Sequence, residues 1–154
     1  MKKYFNHIVS ATVVTLCGLT FSAATFAAKP EDAIKYRQGV MAAQGWNMNA
    51  MGAMVKGDKP YDKAEFAKRA ENLAALNKMA YEGFTVDGSD KGETKAKAEI
   101  WSMMEKFKDG TEKVSAESEK LVKAAQGGDF NAIKAQFGEV GKTCKGCHDN
   151  FRSK

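Results

Sequence analysis

From residue 30 onward the apolar residues recur at helical spacing, and no stretch alternates apolar and polar as a strand does. That pattern limits the chain to an all-α fold. On the first segment one stripe reads Ile34, Arg37, Met41, Gln44, Met48, Met51 and Val55. Asp32 or the Pro30-Glu31 pair suits its start, and Gly57-Asp58-Lys59-Pro60 ends it. A second helix is expected over 63–81, with Phe66, Ala70, Leu73, Leu76 and Ala80 inward, followed by a polar, Gly-bearing loop over 83–92. A third helix runs from about Thr94 to Ala125 on Ile100, Met104, Phe107, Val114 and Leu121. Asp109-Gly110 lies inside it and allows a kink or a split into two helices there, since Gly in a helix costs ~1 kcal/mol relative to Ala. Gly127-Gly128 stops that helix, and Asp129 caps the last one, whose stripe is Ile133, Phe137, Val140, Cys144, Cys147 and Phe151. Four amphipathic helices on short connections bury their stripes against one another as an antiparallel up-down-up-down four-helix bundle.

The first 27 residues read differently. Lys2 and Lys3 precede an apolar run over 8–21, and Thr25-Phe26-Ala27 has the small residues of an export cleavage site. The run is shorter than the ~20 residues a membrane span needs. A cleaved secretory signal over 1–27, with a single mature domain over 28–154, is therefore expected. Leu16 before Cys17 stands where a lipoprotein site needs a small residue. The whole chain carries 24 Lys plus Arg against 19 Asp plus Glu, a formal +5. Without Lys2 and Lys3 the balance is 22 against 19, or +3. Such mild charge gives no warrant for nucleic-acid binding, and after cleavage nothing is left to hold the chain to a membrane.

Removing the leader also removes His7 and Cys17. The remaining histidine and cysteines fall together in Cys144-Lys145-Gly146-Cys147-His148. C-x-x-C-H is the attachment pattern of c-type haem. Two thiols three residues apart lie on one helix face, each within reach of a porphyrin vinyl group, and the adjacent histidine can ligate the iron. Two other readings stay open: a disulfide in an oxidising compartment, and thiol redox chemistry. Zinc lacks a fourth ligand.

The opposite face of the iron has no second histidine available. Sulfur is the alternative, from Met41, Met48, Met51, Met54, Met79, Met103 or Met104. Of these Met41, Met48, Met51 and Met104 lie on inward stripes, where a core role is the plain alternative. Arg37 sets the register. A charge on an inward stripe needs a partner, and a haem propionate supplies one; otherwise Arg37 ends the stripe and reaches solvent. Gln38 stands beside it. With Arg37 on a propionate, Met41 lies over the iron. A peroxidase would need a distal proton-moving group, and none is offered, so the chain is not expected to be an enzyme.

The sequence resembles the class II c-type cytochromes, specifically the cytochrome c prime family. The resemblance covers the whole of 28–154. It is carried by Tyr36-Arg37-Gln38, Gly45-Trp46-Asn47-Met48, Lys56-Gly57, Tyr61-Asp62, Phe137-Gly138-Glu139-Val140-Gly141, the C-terminal Cys144-Lys145-Gly146-Cys147-His148, and Phe151-Arg152. It implies one covalent haem c in a periplasmic four-helix bundle, commonly a homodimer packed through its first two helices. It also implies thioether bonds at Cys144 and Cys147, His148 as proximal ligand, Arg37 and Gln38 on a propionate, and Met41 facing the sixth site. In most of the family that site is open, and the high-spin five-coordinate haem binds NO and CO but disfavours O2. A low-spin branch uses a Met at the position of Met41 as sixth ligand and carries electrons to periplasmic redox partners.

Overall fold

The structure, a computed structural model, describes residues 28–154; the expected leader at 1–27 lies outside the described residues. Four long helices are present: α1 (Pro30–Lys56), α2 (Lys63–Met79), α4 (Met104–Gly127) and α5 (Phe130–Phe151). Between α2 and α4 lie a 3-10 turn (Glu82–Phe84) and the single-turn α3 (Glu99–Ser102). Helix α1 packs on α2, α2 on α4, and α4 on α5, as in an antiparallel up-down-up-down bundle.

Local chemistry explains the boundaries. Pro30 opens α1, where its missing N–H costs nothing, and Gly57 closes it in the left-handed region at φ 85°. The Asp62 carboxylate accepts the Glu65 N–H at 2.9 Å to start α2. Asp129 accepts the Asn131 N–H at 2.9 Å to start α5, after Gly128 at φ 81° has ended α4.

The break in the third helical segment is not where the sequence placed it. Gly110 sits inside an unbroken α4, and the chain breaks at Met103, with φ −129° and ψ 42°. Ahead of it, tertiary contacts delay the start of helix. Residues 95–97 are extended along the end of α5, where Lys97 N–H donates to the Phe151 carbonyl at 3.0 Å and Ser153 N–H to that of Lys95 at 2.8 Å. The Trp101 indole donates to the Phe84 carbonyl at 3.1 Å. The 94–98 stretch is thus held out of helix. On α2 the inward face also differs: Leu76 is only half-buried, and Asn77 is buried in its stead. The loop after α2 is not merely polar, since Gly83, Phe84 and Ser89 are buried.

Two apolar clusters fill the bundle. One holds Met51, Met54, Phe66, Ala70, Leu73, Leu121, Ala125, Ile133 and Val140. The other holds Phe84, Ile100, Phe107 and Phe151, with Met41, Trp101 and Cys147 packed against it.

Candidate functional site

Helix α5 runs unbroken through Cys144, Cys147 and His148, so positions i, i+3 and i+4 share one face. All three residues line a cavity of about 830 Å³. From α1, Arg37, Gln38, Met41, Gln44 and Met48 line the same cavity. Every residue expected at the site is therefore brought to one space.

The two cysteines form no disulfide with each other. Burial pushes each thiol above its ordinary pKa, and Cys144 adds a smaller upward push on Cys147. Near neutral pH they are thiols rather than thiolates, which is unlike an activated redox cysteine. His148 is exposed at the cavity edge, yet its pKa is shifted the other way: desolvation by the protein on one side comes first and then Arg152, with Asp149 opposing. Its imidazole is accordingly neutral at pH 7, with a lone pair for a metal ion. Among the described residues, no cluster of three His, Cys, Asp or Glu side chains is placed to hold a bare ion.

Arg37 is 2% exposed and neither ends the stripe nor reaches solvent. Its guanidinium donates to the carbonyls of Gly83 at 3.1 Å and Ser89 at 2.7 Å, and to Thr94 Oγ1 at 3.0 Å. It also lies over the rings of Phe84 at 4.7 Å and Trp101 at 5.4 Å. Burial lowers its pKa, and Asp90 partly offsets this. Gln38 donates to the Glu93 carbonyl at 3.0 Å. The pair thus fastens the 83–94 loop to α1. Arginine has five N–H donors, so these three bonds leave two uncommitted.

The methionines divide. Met41 is half-buried on the cavity wall, against the same cluster as Cys147. Met48 also reaches the cavity, whereas Met51 and Met54 are sealed in the other core. Met104 packs on the second cluster, and Met79 and Met103 are exposed.

The cavity's chemistry fits a haem. Phe84, Ile100, Phe107, Val114 and Phe151 give it apolar walls, as a porphyrin body needs. Arg37, Gln38, Lys95 and Arg152 add cationic and amide groups suited to carboxylates. Thr94, Lys95 and the Gln44–Asn77 pair escaped the sequence reading. Lys95 gave no signal, because its position depends on the extended 95–97 segment. Asn77 gave one: it continues the 66, 70, 73 spacing and so had to point inward.

A helical bundle with a C-terminal C-x-x-C-H motif lining a cavity open to solvent on one side defines a c-type haem protein of the four-helix class. Residues 32–152 match the family described as Cytochrome C', and the chain belongs to that family. It is 47% identical over 131 residues to the cytochrome c' of Halomonas halodenitrificans, covering 82% of this chain and 99% of that one. The solved cytochrome c prime from Shewanella frigidimarina is 44% identical with a TM-score of 0.79, covering 82% of this chain and 98% of its own. A nitric oxide complex of a mutant cytochrome c prime from Alcaligenes xylosoxidans is 38% identical with a TM-score of 0.77, with the same two coverages. The family carries one covalently attached haem c per chain.

Proposed function

We propose that Cys144 and Cys147 hold the haem through thioether bonds, that His148 is its proximal ligand, and that Met41 covers the distal face without bonding the iron. The protein then binds NO and CO at an open sixth site. One observation carries this: the motif on α5 and Met41 on α1 line one cavity. The haem supplies the iron that takes a diatomic ligand or an electron; the chain positions it. The neutral His148 imidazole offers its lone pair. The two uncommitted donors of Arg37, with Gln38 beside it, orient a propionate. The apolar wall around Phe84 and Phe107 excludes water.

Export fits the leader at 1–27, which makes the protein periplasmic; no helix among the described residues is long and apolar enough to cross a membrane. Trp46 on α1 is 71% exposed, and Met79 at the end of α2 is also exposed. This supports a homodimer packed through the first two helices. The family is a haem-binding one, and we read the site as one of binding rather than turnover.

A second reading has its own observation: the Met41 thioether on the cavity wall is a potential sixth ligand, and a bonded sulfur would make the protein a single-electron carrier to periplasmic redox partners. The visible spectrum of the ferrous protein separates the two. A broad, unsplit band is expected, meaning a high-spin five-coordinate iron. Sharp, split bands would establish the electron carrier instead.

A further inference from the structure

The cavity wall is not wholly apolar. Gln44, one turn beyond Met41 on α1, lines it together with Asn77 of α2. Gln44 Nε2 donates to Asn77 Oδ1 at 2.8 Å. Asn77 Nδ2 donates in turn to Ser118 Oγ of α4 at 2.6 Å. Ser118 donates to the carbonyl of Val114, four residues back, at 2.8 Å. Asn77 is 4% exposed and Ser118 is completely buried, so water does not substitute for any partner.

The direction of this chain is fixed at its far end. A backbone carbonyl only accepts, so the Ser118 proton must go to Val114. Ser118 is then an acceptor toward Asn77, which must present its NH2 there and its oxygen to Gln44. Gln44 must therefore present its own NH2 to α2. The second Nε2 proton faces the Leu76 carbonyl at 3.4 Å, another acceptor-only group. Both donors of the Gln44 amide are turned toward α2, and only its oxygen is left for the cavity.

We propose that Ser118, acting through Asn77, fixes which end of the Gln44 amide faces the cavity, and so withholds a hydrogen-bond donor from any ligand on the distal side of the iron. Ser118 and Asn77 are positioning residues, and Gln44 is the group they position. A bound O2 or an anion gains from a donor, whereas CO and NO need none. The relay thus discriminates between ligands from a residue that does not itself line the cavity. This inference rests on the haem reading of the cavity.

The test uses the haem-loaded protein, with CO as ligand on the ferrous form and azide on the ferric. A donor near bound CO lowers its stretching frequency; a lone pair does not. In Gln44→Leu the CO band is expected not to rise, because no donor is lost. In Ser118→Ala the Asn77 NH2 loses its acceptor. Turning it to the Gln44 oxygen leaves a buried carbonyl unpaired in place of buried N–H groups, the lesser cost, and gives up only the long 3.4 Å contact of Gln44 with the Leu76 carbonyl. The Gln44 NH2 then turns to the cavity, so the CO band falls and azide binds more tightly. Ser118→Ala combined with Gln44→Leu returns both readings to those of Gln44→Leu. A rise in Gln44→Leu, or an unchanged band in Ser118→Ala, overturns the relay. Should Ser118→Ala fail to load haem, the Gln44→Leu comparison decides alone. Absence of any haem band in the unsubstituted protein overturns the cavity reading instead.

Discussion

The two ends of the bundle are built from the same four helices and solve different problems. At one end Met51, Phe66, Leu121, Ile133 and Val140 interlock, and the core is closed by side chains; Leu73 of the same cluster already borders the cavity. At the other end Phe84, Phe107 and Phe151 meet edge to face, with centroids 4.6 and 5.3 Å apart, on the border of an 830 Å³ cavity. Interiors normally pack without such voids. The closed end is filled by the chain itself, and the open end reserves its core volume for a group that is not protein. A covalently attached haem stays on the unfolded chain too, so it stabilises the fold only through the cavity contacts it makes in the folded state.

The largest effect that sharpens this contrast is expected at Phe66, which is fully buried in the closed end. Phe66→Ala should cost about 3–5 kcal/mol, the usual range for emptying a packed aromatic site. Denaturant unfolding of the haem-loaded protein reads this directly. Its ferrous CO spectrum should stay unchanged, because Phe66 packs in the core and not on the cavity wall. A shifted spectrum would mean the two ends are mechanically one.

Arg37 gives an intermediate effect at the open end. Arg37→Met leaves the Gly83 and Ser89 carbonyls without the donors they now have, at a cost of about 2 kcal/mol. The 85–93 stretch should then become the first site of limited proteolysis. Unchanged protease resistance would mean that the Tyr36 hydroxyl bond to Glu82 and the Gln38 bond to the Glu93 carbonyl hold the loop without Arg37.

The closed end was the more legible in sequence, for a physical reason. Its partners are apolar stripes, and a stripe announces its burial through spacing alone. Pro30, Gly57, Asp62, Gly128 and Asp129 mark helix ends through local chemistry. At the open end the motif, Arg37 and Met41 were visible, but their surroundings were not. The spacing showed that Arg37 needed a partner. It did not show that backbone carbonyls of a loop far along the chain would serve, since carbonyls carry no residue signature. Local propensity pointed to Gly110 as the weak point of the third helix. The late start of helix after residue 98 follows from pairing between 95–97 and 151–153, which no local rule contains. The Gln44–Asn77–Ser118 chain joins three helices and is likewise invisible until they are packed.

The smallest expected effect on stability, with the clearest functional one, belongs to Met41. It is half-buried and borders space on one side, so Met41→Ala removes few contacts from the protein. The loss should stay within about 1 kcal/mol, below the 2–5 kcal/mol of a fully packed methionine. If its side chain is the distal barrier, CO association should quicken about tenfold or more, equivalent to about 1.4 kcal/mol off the barrier. Stopped-flow mixing of the ferrous protein with CO measures it. A rate unchanged by the substitution would place another residue over the iron, and Met48, two turns further along α1 on the same wall, would be the next to truncate. A large loss of stability would instead break the contrast between the two ends, by showing that the open end depends on Met41 as core.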